Sequence, residues 1–104
     1  MARRDLEPVV PFFIASYEYT GDVDAQQAAR PRHREFLKGL GSALVASGPT
    51  DRRGAVLIFE AASAEAVAGL LEDDPFRREG FIGERQIVGW TPVLGRLVES
   101  GALS

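Results

Sequence analysis

"AVLIFEA", residues 55–61, decides the fold. A run this rich in β-branched and aromatic side chains reads as a strand, and "DRRG" (51–54) before it reads as a turn. Working upstream, "SALVASGPT" (42–50) is a second short strand, ended by Gly48-Pro49. Before it a helix is expected over about 31–41, with Pro31 in its first turn and Gly39 and Gly41 weakening its end. "TGDVDAQQ" (20–27) reads as a turn-rich connection. "VVPFFIASYEY" (9–19) is the first strand, and Pro11 places its start at a sheet edge. Working downstream, Ser63 suits the N-cap of a helix over 64–72, whose Ala64, Val67, Ala68 and Leu71 form one stripe. "DDPF" (73–76) breaks that helix, because the residue before a proline is pushed out of the α region. "RQIVGWTPV" (85–93) is the last strand, and "LGRLVESGALS" (94–104) a short frayed helix.

The order β-α-β-β-α-β is the split-βαβ, ferredoxin-like arrangement. It predicts an α+β fold: an antiparallel four-stranded sheet with both helices on one face. A sheet with one wet face alternates apolar and polar residues. "AVLIF" and "FFIA" (12–15) are instead apolar on both faces. Two helices cover one face only, so a second copy of the chain is expected over the other, giving a homodimer. The alternative is a C-terminal segment folded across the open face.

Composition narrows the function. At 104 residues the chain is expected to be one domain, 1–104, with a core over about 9–93 and a C-terminal extension over 94–104. A net charge of -3 offers no basic field for nucleic acid, and no nucleic-acid partner is expected. With no cysteine, disulfides and thiolate metal sites are excluded. The start "MARRDLEPVV" lacks a signal-peptide apolar run, and no stretch nears the roughly 20 apolar residues of a membrane span. No membrane partner and a cytoplasmic location are therefore expected.

Three segments together resemble the YciI-like (YCII-related) proteins of the dimeric α/β-barrel superfamily. "RPRHREFL" (30–37) is similar to the family's R-P-x-H-x-x-x-L helix start, "SGPT" (47–50) to its A-G-P turn, and "DDPFRREGFIG" (73–83) to its D-P-[YF]-x-x-x-G segment. Each motif alone is weak; their shared order is more specific. The chain departs at its ends, beginning several residues before the first strand and continuing beyond Thr91. The resemblance implies a pocket built around His33 and Asp74, and elimination or isomerisation chemistry on a small cyclic or aromatic compound. Fold alone would not assign an activity.

His33, the single histidine, lies three residues before Phe36 and four before Leu37. Those spacings share one helix face, so His33 projects with the apolar stripe, while Arg32, Arg34 and Glu35 face water. A carboxylate on one ring nitrogen would fix the tautomer and leave the other as a base. Otherwise His33 is an inert structural hydrogen-bonding residue. Asp74 adjoins Pro75 and is the expected partner; Asp73 competes with it, and a turn-capping role is the plainer reading. Substrate contacts are expected from Arg30, able to hold an anion, from the Ser47 hydroxyl and Gly48 N–H, and from Phe76 as a wall; surface, turn and core roles respectively are the alternatives. Trp90 is assigned to core or dimer packing. One histidine with scattered carboxylates makes a poor zinc site, so no metal is expected. "ASGPT" is not a nucleophile elbow, and neither G-x-G-x-x-G nor a P-loop is present. Haem ligation by His33 is a lesser alternative. The reading is cofactor-free His/Asp acid–base chemistry, of lyase or isomerase type, on a small-molecule substrate. The rival reading is a non-catalytic ligand-binding or accessory module.

Overall fold

The computed structural model describes residues 12–103. Four strands, β1 (Phe12–Tyr19), β2 (Leu44–Pro49), β3 (Gly54–Glu60) and β4 (Ile82–Gly89), form one sheet in the order β2-β3-β1-β4. All three pairings are antiparallel. With helices α1 (Val23–Lys38) and α2 (Ala64–Leu71), this is the α+β ferredoxin-like arrangement. Two single-turn helices, α3 (Pro75–Arg78) and α4 (Arg96–Glu99), complete the described chain.

The register explains the core. Ala15 lies opposite Leu57 and Ile87, and Tyr17 opposite Ala55 and Arg85. With Phe59 these side chains share one sheet face. Leu37 of α1 and Val67 and Leu71 of α2 pack into the same cluster as Ala15, Tyr17, Ala55, Leu57 and Phe59. Both long helices therefore cover that face. On the other face Ile14 lies between Ile58 and Val88, and Val56 and Val88 are exposed. Gly54 allows the close start of β3, since a Cβ there would lie 2.4 Å from the Tyr17 carbonyl oxygen.

Several boundaries differ from the sequence reading. α1 begins at Val23, eight residues earlier than expected, and Pro31 lies inside it. The cause is Asp22, whose carboxylate accepts from the Ala25 N–H at 2.8 Å and caps the helix. Gln26 and Ala29, before the expected start, continue at helical spacing the buried stripe of His33 and Leu37. Pro31 removes one N–H from the helix, a cost that helix packing offsets. The helix stops at Lys38, where Gly39 forms the C-cap. Residues 41–43 form a 3₁₀ turn, which shortens β2 at its start. β4 begins at Ile82 rather than 85, because it pairs back to Tyr19 across a bulge after Glu18. It ends at Gly89, although the Trp90 N–H still reaches the Phe12 carbonyl at 2.9 Å. "DDPF" does break α2, but Pro75 at once opens a new turn. The expected tail helix shrinks to Arg96–Glu99. Residues 9–11 of the expected first strand lie outside the described residues.

The early helix start gives a direct test. Asp22→Ala is expected to destabilise the protein by about 1 kcal/mol, within the ~0.5–2 kcal/mol of a lost side-chain cap. Urea denaturation measures it; an unchanged midpoint would return the helix start to Pro31.

Candidate functional site

Asp74 is the centre of the site because of where α2 ends. The Asp74 N–H bonds the Leu71 carbonyl at 3.2 Å, closing α2, and Pro75 then supplies a first helical residue for α3. As the cap of α3, Asp74 accepts from the Phe76 N–H at 2.9 Å through Oδ1. The same oxygen lies 2.8 Å from His33 Nδ1, and Oδ2 accepts from the Tyr17 hydroxyl at 3.3 Å. Asp74 is fully buried and His33 is 5% exposed. A carboxylate in that position must be met by donors, and it meets three, from β1, α1 and α3. Since it serves as acceptor throughout, Nδ1 carries the proton toward it, leaving Nε2 as the basic nitrogen.

Phe76 fixes the second coordinate of the imidazole. The two rings stack with centroids 3.9 Å apart and planes within 1°. Phe76 is itself held edge-on by Tyr19 at 5.5 Å and by Phe81 at 5.9 Å. One ring nitrogen is bonded and one ring face is stacked, so rotation of His33 is blocked. Nε2 has no protein partner among the described residues, and His33 lines a cavity of about 160 Å³.

The sequence-derived residues distribute unevenly around that cavity. Arg30, His33, Ser47 and Gly48 line it together. Asp74 stands behind His33, and Phe76, fully buried, lies beneath the ring rather than at the cavity wall. Arg30 also sits 5.5 Å from the Phe76 centroid and donates to Gln27 Oε1 at 3.1 Å. Asp73, the competing carboxylate, is exposed and ion-paired with Arg78. Three residues escaped the sequence reading. Tyr19 and Arg34 line the cavity with Leu37, Pro49, Ala55 and Leu57, and Tyr17 holds the far oxygen of Asp74. Strand alternation puts Tyr17 and Tyr19 on one face, which was the available signal; that this face meets α3 was not in the sequence.

Both tyrosines stay protonated. Burial first, then the Asp74 charge and its hydrogen bond, push the Tyr17 phenol well above the ordinary 10.0. Burial also raises Tyr19, opposed by the positive charge of Arg30. Tyr17 is thus a fixed donor to Asp74, and Tyr19 offers the cavity a neutral hydroxyl.

A folded-state pKa raised above the unfolded one stabilises the fold fully below the unfolded value and loses that contribution as pH climbs past it. Protein stability is therefore expected to fall above about pH 10, by at most ~1.4 kcal/mol per pH unit from Tyr17. Tyr17→Phe should flatten this decline. Urea denaturation at about pH 9 and about pH 11 compares the two slopes; equal slopes would mean the buried phenol does not contribute.

No curated protein matches the chain. Among solved structures it is similar to 5-chloro-2-hydroxyhydroquinone dehydrochlorinase from Burkholderia phenoliruptrix, determined in complex with 2,5-dihydroxybenzoquinone. That match has a TM-score of 0.70 and 24% identity, covering 77% of this chain and 93% of the other. It is a likeness of fold. A structural-genomics protein from Agrobacterium tumefaciens matches at a TM-score of 0.45 and 19% identity, over 75% of this chain and 90% of that one. The family model of the YCII-related domain matches residues 10–91, and the chain belongs to that family.

Proposed function

We propose that this protein is an enzyme that performs cofactor-free acid–base chemistry, an elimination or isomerisation, on a small ring compound. The observation that carries the reading is the buried Asp74–His33 pair, with Nε2 of His33 unbonded among the described residues beside a cavity. Nε2 takes a proton from the substrate. In an elimination, the electron pair of the broken bond forms the new double bond while the leaving group departs with its own pair. Asp74 orients the imidazole and balances the charge it gains. Arg30, Ser47 and Gly48 hold the substrate, and Phe76 keeps the base in place. The dehydrochlorinase that shares the fold acts, by its name, on a chlorinated hydroxyhydroquinone, which supports a ring compound as the class of substrate here.

The assembly proposed with this reading is a homodimer packed through the open sheet face. Ile14 and Ile58 are half-buried there, and Val56 and Val88 are 37% and 46% exposed. Covering such side chains is worth ~1.5–3 kcal/mol for each one fully buried. Light scattering at low micromolar concentration is expected to report twice the mass of one chain; a folded monomer would overturn the assembly.

The enzymatic reading is tested at His33. His33→Asn should leave a folded protein, destabilised by about 1–3 kcal/mol through the lost ring contact and weakened bond to Asp74. Chloride release from chlorinated hydroxyhydroquinones, within a panel of ring compounds, should fall about 10²–10⁴-fold. Ring compounds that bind the wild-type protein and are never turned over would leave a ligand-binding module instead.

A further inference from the structure

The charge around the cavity narrows the ligand further. Of the residues lining it, Arg30 and Arg34 are cationic and none is a carboxylate. Asp74, just behind, has its oxygens committed to His33, Phe76 and Tyr17. Elsewhere on α1 and α3 each cation has found an anion. Arg32 pairs with Glu79, Lys38 with Glu35, Arg77 with Glu72 and Arg78 with Asp73. Arg30 and Arg34 stand apart. Neither has a carboxylate partner among the described residues, and they sit at i and i+4, where side chains of one helix face are neighbours. Two like charges held side by side repel, unless an anion lies between them. The surrounding wall includes the apolar Leu37, Ala55 and Leu57 and the hydroxyl-bearing Tyr19 and Ser47. At about 160 Å³ the space is well below the ~300–1,000 Å³ of sites for drug-sized ligands.

From this we infer that the site selects a single-ring organic acid, whose carboxylate bridges Arg30 and Arg34 while its ring lies between the apolar wall and His33. Arg34 is then a specificity-determining residue. The inference rests on the proposed acid–base site and adds the charge of its ligand. Guanidinium groups suit the task, since each presents parallel N–H donors to a carboxylate.

The test compares two probes that differ by the acid group, 2,5-dihydroxybenzoate and hydroquinone, by titration calorimetry at low salt on the full chain. His33 ring resonances, followed by NMR, report whether each enters the site. The acid is expected to bind about tenfold or more tightly than the neutral probe, the effect of one well-made charged hydrogen-bond pair. Arg34→Gln should weaken binding of the acid far more than that of hydroquinone and so cut the preference several-fold, while Arg34→Lys should retain more of it. Arg34 is exposed, so both variants are expected to melt with the wild-type protein, which a thermal scan checks. Equal affinities for the two probes, or an acid preference that Arg34→Gln leaves undiminished, would overturn the inference while leaving the His33 site standing. If neither probe disturbs the His33 resonances, the inference falls. The acid–base reading falls separately, on chloride release that His33→Asn leaves intact.

Discussion

A carboxylate sealed from water must be met by donors, and Asp74 recruits them from three different elements. The Tyr17 hydroxyl comes from the central strand, His33 Nδ1 from the long helix, and the Phe76 N–H from the turn that Asp74 itself caps. Hydrogen bonds to a charged group contribute about 1.5–3 kcal/mol each, and losing one leaves a penalty of similar size. The carboxylate therefore ties β1, α1 and α3 together beside the cavity that His33 lines. The bonds that make burial tolerable also orient His33.

The molecule divides its apolar packing in keeping with this. The larger cluster, around Phe59, Leu57, Leu71 and Val67, joins the sheet to both long helices, and the Tyr17 phenol is the one titratable group among its buried members. A smaller cluster of Ala29, Phe76 and Phe81 lies beneath the site and meets the first through Tyr19 and Ile82. Phe76 is the keystone of the second. It stacks on His33, meets Tyr19 and Phe81 edge-on, and lies near the Arg30 guanidinium. Aromatic pairs contribute about 0.5–1.5 kcal/mol beyond their buried area, and here one of them also sets the plane of the imidazole. Phe76 therefore lies beneath the imidazole and is not part of the cavity wall.

The sequence's errors have local causes. The capping Asp22 opens α1, yet Gly21 beside it reads as a turn and Pro31 reads as a first helical turn, which together put the helix start too late. The longer helix buries Gln26 and Ala29, which lie before the expected start. β4 was placed three residues late because Gly83 and Glu84 dilute its apolar pattern; pairing to β1, not composition, defines its start. Arg34 looked wet by helical spacing, and it is exposed, but the facing strand β2 turns its side of α1 into a cavity rim.

By itself the sequence determined the element order, the two-faced strands, the break at Asp74-Pro75 and the inward direction of His33, because periodicity and turn chemistry are local. Its three short motifs also pointed to the family and to His33 and Asp74 as a pair. Only the tertiary structure decided that those side chains meet, that Tyr17 completes the carboxylate's shell, and that Arg30 and Arg34 line one cavity with no carboxylate among its described lining residues. These are contacts across 41 and 57 residues of chain, and such distances are set by how the helices lie on the sheet. No local pattern encodes that placement, since it depends on the packing of the whole core.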